Sequence, residues 1–140
     1  MIETTLHATT VAIGAAGVVI IGPSGAGKSA LALELINRGA VLVSDDLTRM
    51  SKSPETGLVA HAPDQMAGVI EARFVGLIRT PFQAAARVQL VVDLSRDEQD
   101  RLPQAHEIVI LGEAIPCLLR VDGPHFAASI MALIKGGRQA

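Results

Sequence analysis

The chain has 140 residues, with 12 Lys and Arg against 14 Asp and Glu, a net charge of −2, three Phe and neither Trp nor Tyr. Without a basic field or an aromatic stacking platform, nucleic acid is excluded as a partner. The single cysteine, Cys117, rules out an intrachain disulfide and a Cys-based zinc site, and in the run Ile115-Pro116-Cys117-Leu118-Leu119 it reads as a buried structural thiol.

The first residues, Met1-Ile2-Glu3-Thr4-Thr5-Leu6-His7, lack the basic start and apolar core of a signal peptide. No apolar stretch reaches the roughly 18 residues that span a bilayer. The expectation is a soluble, cytoplasmic protein without a membrane partner, and one α/β domain over 1–140.

Two β-rich runs, Thr9–Ile13 and Val18–Ile21, flank Gly14-Ala15-Ala16-Gly17 and predict an antiparallel hairpin. The second runs into Gly22-Pro23-Ser24-Gly25-Ala26-Gly27-Lys28-Ser29. A helix is expected next, with Leu31, Ala32, Leu35 and Ile36 on one face and Gly39 as its C-terminal cap. Val41–Val43 is a short apolar strand closing in Ser44-Asp45-Asp46. Ser51–Gly57 reads as a turn, with a strand over Leu58–His61. Val69–Arg73 and Gly76–Ile78 read as an interrupted strand or as short strands around a loop. Strands are expected over Arg87–Asp93 and Ile108–Leu111, with polar surface at Ser95–Pro103 between them. Asp122-Gly123-Pro124 predicts a last helix, with an Asp N-cap and Pro in the first turn. Phe126, Ile130, Met131 and Ile134 are its inward face, and Gly136-Gly137 its end.

The Gly22–Ser29 run meets the Walker A pattern in full, with a strand before it and a helix after it. Its glycines let successive N–H groups turn inward around phosphate oxygens, and the helix N-terminus adds partial positive charge. Lys28 would reach the β- and γ-phosphates and Ser29 would ligate Mg²⁺. ATP and Mg²⁺ are therefore the expected cofactors, bound by Gly22, Pro23, Ser24, Gly25, Ala26, Gly27, Lys28 and Ser29.

Chemistry at a γ-phosphate also needs acids, and two candidates sit at strand ends. Leu90-Val91-Val92-Asp93 has the ordinary Walker B form. Asp45-Asp46 offers adjacent carboxylates that extended backbone would send to opposite sides, one to metal and one to an accepting hydroxyl. Periodicity leaves both open.

The order of motifs resembles the HPr kinase/phosphorylase family. That family carries a His, fourteen residues, G-x-S-G-x-G-K-S, an E-L-x-x-R-G helix end and an apolar strand closing in D-D. His7, Gly22–Ser29, Glu34-Leu35-Ile36-Asn37-Arg38-Gly39 and Asp45-Asp46 follow the same order and spacing. The family's I-E-V-R-G-L-G-I-I is similar to Ile70-Glu71-Ala72-Arg73-Phe74-Val75-Gly76-Leu77-Ile78, and its D-R-L to Asp100-Arg101-Leu102. The resemblance covers most of the chain and is weakest over 47–68 and beyond 115.

It implies a P-loop nucleotide-binding domain with a mixed sheet, like the C-terminal domain of HPr kinase. It also implies an ATP- and Mg²⁺-dependent serine kinase acting on an HPr-type phosphocarrier, in a homo-oligomer like the hexamers of the family. Carried across by position, Asp46 would accept the proton, Asp45 and Glu71 would join Ser29 at the metal, and His7, Lys28 and Arg101 would be catalytic companions.

Three departures accompany the resemblance. The chain begins a few residues before His7, similar to the short forms of α-proteobacteria, so the separate N-terminal domain usual in the family is not expected. Phe74 replaces a signature Gly, so a loop free to use φ > 0 is not expected there. The P-V-x-P-G-R-N loop linked to phosphate-dependent dephosphorylation has no good counterpart around Arg120-Val121-Asp122-Gly123-Pro124, which puts phosphorolysis in doubt. Two other readings compete with a protein kinase. A small-molecule P-loop kinase would need an Arg-rich lid, whereas the Arg residues here are dispersed. A nucleotide-sensing regulator without transfer would have no need of Asp45, Asp46 and Glu71 together.

Overall fold

A computed structural model describes residues 2–63 and 67–139. Its elements run β1 (Ile2–Ile13), β2 (Ala16–Ile21), α1 (Lys28–Asn37), β3 (Val41–Ser44), β4 (Leu47–Ser53), β5 (Gly57–His61), β6 (Val69–Ala72), β7 (Gly76–Arg79), β8 (Ala85–Asp97), β9 (His106–Ile110), β10 (Glu113–Arg120) and α2 (Phe126–Gly136). Eight strands form one sheet along the path β2-β1-β4-β5-β8-β10-β9, with β3 attached to β1. Because β2 also pairs with β8, the path from β2 through β1, β4, β5 and β8 closes on itself. The sheet is mixed, as expected, and mostly antiparallel; among the described strand pairs, β2–β8 and β8–β10 are the parallel ones. The β6–β7 hairpin is a separate two-stranded sheet.

The middle strands are apolar on both faces because both are covered. Val18 and Ile20 of β2, with Leu90, Val92 and Leu94 of β8, pack under Leu31 and Leu35 of α1 and Phe126, Ile130 and Met131 of α2. Val19 and Val91 point the other way, toward Met50, Leu58, Ile115, Cys117 and Leu119. Val88 shares that second face although it lies three residues from Val91. The register moves from Gly17↔Val88 to Val18↔Leu90, so Gln89 is an extra bulged residue that resets the alternation. The helix α1 ends in a Schellman motif, with Gly39 N–H bonded to Ile36 O and Ala40 N–H to Leu35 O, both at 3.0 Å.

Several expectations change. The first hairpin turns on Gly14-Ala15 alone, since Ala16 already pairs with Ile13. Ser51–Ser53 is strand rather than turn: β4 alternates Thr48 and Met50 inward and reaches Ser53 before the chain reverses. Ile115–Leu119 lies inside β10, where Pro116 precedes the parallel pairing with β8 that begins at Cys117. Helix α2 starts three residues later than the Asp-Gly-Pro run suggests. His125 holds its N-cap position without a side-chain bond, and Asp122 is solvent-exposed beyond it, 3.9 Å from Arg120. No helix among the described residues is long and apolar enough to cross a membrane.

Candidate phosphoryl-transfer site

The site forms where β2, β3 and the β6–β7 hairpin meet the start of α1. The strand β2 ends at Ile21, and Gly22–Gly27 loops into the helix. A Cβ at Gly22 (φ 150°) would sit 3.2 Å from the Leu94 Cβ, so a side chain there would push the loop off β8. Gly27 caps α1 with φ 98°, a conformation that L residues avoid, and supplies no side chain. The first helical turn carries no acidic residue either, so its N–H groups remain available to an anion. Lys28 Nζ folds back over the loop and donates to Gly22 O at 2.8 Å and Pro23 O at 3.1 Å.

Strand β1 passes beside two consecutive strands. Its residues Ile2–His7 pair with β4 and Thr10–Ala12 pair with β3, leaving Ala8 and Thr9 opposite the turn that joins β3 to β4. That turn is Asp45-Asp46. Asp46 has φ 69°, and Leu47 N–H bonds to Asp45 O at 2.8 Å, a γ-turn of the rare positive-φ kind. Asp is among the side chains that tolerate this backbone best. Ala8 N–H donates to Asp46 O at 3.1 Å and ties the turn to β1.

The turn separates the two carboxylates by bending the backbone, not by the strand alternation expected from sequence. Asp45 is buried at 6% exposure. Its Oδ1 accepts from Ser29 Oγ at 2.7 Å and from Thr9 Oγ1 at 2.9 Å, and its Oδ2 accepts from Glu71 N–H at 2.9 Å. Asp46 instead lines the open cleft.

That cleft has a volume of about 770 Å³. Of the residues singled out from sequence, His7, Gly22, Pro23, Ser24, Gly25, Gly27, Lys28, Ser29, Asp46 and Glu71 line it. Ala26 is turned instead toward the core beneath α1, and Asp45 lies behind Ser29. Arg101 does not line this cleft. It sits exposed in the β8–β9 connection, next to a turn that Glu98 braces by accepting from Gln99 N–H, Asp100 N–H and His106. The Asp100 N–H is foremost in holding the Glu98 carboxyl below its ordinary range.

The rival acid occupies a different environment. Asp93 stands in register with Ile21 at the root of the loop, but its Oδ1 accepts from Ser95 N–H at 2.9 Å and Ser95 Oγ at 2.6 Å, with Arg96 3.7 Å from Oδ2. It is absent from the cleft lining.

Sequence reasoning passed over Thr9, Arg73 and Val75, which also line the cleft. Arg73 had a signal, its place in the Ile70–Ile78 run. Thr9 had none, since a Thr in a β-rich run reads as ordinary strand. Phe74 departs from expectation: the backbone keeps φ 68° despite the side chain, and the ring stands fully in solvent.

No cluster of three or more His, Cys, Asp or Glu set to hold a metal occurs among the described residues. Mg²⁺ bound beside phosphates usually takes only one or two protein oxygens and is completed by phosphates and water. Ser29 Oγ and Asp45 Oδ1, already 2.7 Å apart, are hard oxygen donors of the right kind.

Comparison with known proteins identifies a family. The family model described as HPr Serine kinase C-terminal domain matches residues 1–121. The chain is 40% identical over 143 residues to the HPr kinase/phosphorylase of Azoarcus sp. strain BH72, covering 93% of this chain and 45% of that one. It is 35% identical over 127 residues to the HPr kinase/phosphorylase of Caldicellulosiruptor bescii, covering 82% and 41%. It thus spans less than half the length of these curated relatives. Among solved structures, the Hpr(Ser) kinase/phosphatase of Coxiella burnetii superposes with a TM-score of 0.78 at 25% identity, covering 94% of this chain and 88% of that one.

Proposed function

Because the chain belongs to the HPr serine kinase C-terminal domain family, we propose that it is an ATP- and Mg²⁺-dependent protein-serine kinase whose acceptor is an HPr-type phosphocarrier. One observation carries this reading. The phosphate loop, a buried acid bonded to Ser29 and a second acid facing the open cleft lie together, which is what transfer to an incoming hydroxyl requires. Relatives named HPr kinase/phosphorylase support the choice of acceptor.

In this reading the loop N–H groups and Lys28 hold the β- and γ-phosphates, with Lys28 exchanging its bonds to Gly22 O and Pro23 O for phosphate oxygens. Ser29, Asp45 and Glu71 are the residues that would hold Mg²⁺, which when bound neutralises charge on the bridging and terminal oxygens. Asp46 accepts the proton as the acceptor serine oxygen bonds to the γ-phosphorus. The bond from that phosphorus to the β–γ bridging oxygen breaks, and ADP leaves. His7 also lines the cleft and would orient the acceptor or share the proton. A role for Arg101 would require the acceptor or a second copy of the chain to bring it to the cleft.

Phosphorolysis is proposed to be weak. Among the described residues none of Arg120–Pro124 lines the cleft, so that segment brings no group there to hold inorganic phosphate. A cytoplasmic location and a homo-oligomeric state complete the proposal. The exposed apolar side chains Phe74, Val75, Leu77, Phe82, Leu102 and Val109 are compatible with assembly. The test is incubation with γ-labelled ATP, Mg²⁺ and purified HPr, followed by mapping of the label. A phosphoserine on HPr is expected. Transfer to a small metabolite, or nucleotide binding without transfer to any carrier, would favour the small-molecule kinase or the regulator instead.

A further inference from the structure

Thr9 touches both acids of the β3–β4 turn. It is fully buried on β1, at the point where that strand has left β4 and has not yet met β3. A threonine hydroxyl has one proton to give and lone pairs to receive. Here the proton goes to Asp45 Oδ1 at 2.9 Å, and the oxygen faces Asp46 N–H at 3.4 Å. One side chain therefore touches the carboxylate of the first acid and the backbone of the second. The neighbouring hydroxyls are engaged elsewhere. Thr10 bonds Thr48 Oγ1 at 3.0 Å, and Thr48 donates to Ala8 O at 2.8 Å, both away from the acids.

The arrangement matters because both acids need outside support. Asp45 is buried, and its Oδ1 would have to present one lone pair to a cation while Ser29 Oγ becomes a ligand in its own right. Once Ser29 turns to the metal, Thr9 Oγ1 is the remaining side-chain donor bonded to Asp45 Oδ1 and fixes the direction of the other lone pair. Asp46 sits in a strained γ-turn, which persists only when its surroundings over-determine it. The Ala8 N–H bond to Asp46 O holds one side of that residue, and the Thr9 hydroxyl faces the other.

We propose that Thr9 is a positioning residue that sets the metal-facing carboxylate of Asp45 and the turn carrying Asp46 in one geometry. The inference rests on the reading of the cleft as a phosphoryl-transfer site. Outer-shell donors that orient ligands are worth about 10–100-fold in metal affinity.

The test compares Thr9→Val, which keeps the shape and removes the hydroxyl, with Thr9→Ser, which keeps the hydroxyl. Mn²⁺ binding in the presence of ADP is titrated by electron paramagnetic resonance, and metal-free ADP binding is titrated by calorimetry. Thr9→Val should weaken Mn²⁺ by about 10–100-fold while metal-free ADP binding, which depends on Lys28 and the loop amides, stays close to wild type. Thr9→Ser should recover most of the Mn²⁺ affinity. Wild-type Mn²⁺ affinity in Thr9→Val, equal weakening in both variants, or a matching loss of metal-free ADP binding would each overturn the role of Thr9 alone. A wild-type chain that binds neither ADP nor Mn²⁺ with ADP would overturn the cleft reading itself, and the role of Thr9 with it.

Discussion

Ser29 Oγ donates to Asp45 Oδ1 across 2.7 Å, joining the end of the phosphate loop to the end of β3 over sixteen residues of chain. The bond assembles two oxygen donors at the place where the loop would present a nucleotide's phosphates. It also makes the loop and the acidic turn one mechanical unit, because Asp45 is held in addition by Thr9 and by the backbone of β6.

Lys28 is the cation of this unit, and its present partners are two loop carbonyls. Lys28→Ala should lower phosphoryl transfer by about 10³–10⁵-fold, the scale seen when a single charge is withdrawn from a transferring phosphoryl group. The two lost bonds should cost about 1–2 kcal/mol of stability, since each ordinary hydrogen bond contributes about 1 kcal/mol net. Thermal melting and a transfer assay on the same preparation separate the two effects. Near-normal transfer in the folded variant would remove the phosphate-binding assignment.

Phe74 holds a left-handed backbone without gaining burial. Phe74→Gly should therefore raise stability, by about 0.5–1 kcal/mol, because relief of roughly 1–2 kcal/mol of strain is partly offset by the flexibility glycine adds to the unfolded chain. Phe74→Ala keeps the strain and should be close to neutral. Denaturant titration of the two variants checks the ordering, which would reverse if the ring were stabilising the fold.

Cys117 is buried on β10, and burial pushes its thiol above the ordinary 9.0, with the Asp93 carboxylate acting in the same direction. The unfolded chain therefore ionises this thiol at lower pH than the folded chain. The stability it contributes is fully present below about pH 9 and is lost as pH rises beyond it. Wild type should lose more stability than Cys117→Ala between about pH 8 and 10, and native Cys117 should react slowly with a disulfide reagent until the protein unfolds. Equal alkaline slopes for the two proteins would contradict the burial argument.

Motif and periodicity made much of this legible in the sequence. Gly22–Ser29 declares its loop by spacing, and Leu31, Ala32 and Leu35 declare the inward face of α1. What stayed hidden depended on contacts distant in sequence. Ser51–Ser53 precede a proline and resemble a turn, yet β5 pairs with them. Pro116 argues against a strand, yet it falls just before the pairing that would need its N–H. The direction of each carboxylate depends on the φ of Asp46, and nothing local marks an Asp for that conformation. Thr9 becomes informative only when β1, β3 and the acidic turn are placed side by side.

The division between Asp46 and Asp93 tests the central claim most directly. Asp46 faces the cleft, whereas the Asp93 carboxylate is engaged by Ser95 and Arg96. The measurement is single-turnover transfer of labelled phosphate from saturating MgATP to HPr by Asp46→Asn and Asp93→Asn, with nucleotide affinity determined alongside. Asp46→Asn is expected to bind nucleotide nearly as wild type and to transfer about 10²–10⁴-fold more slowly, the usual contribution of a positioned general base. Asp93→Asn is expected to lose some stability and keep most of its transfer rate. An inactive Asp93→Asn beside a fully active Asp46→Asn would make Asp93 the working acid and contradict the account.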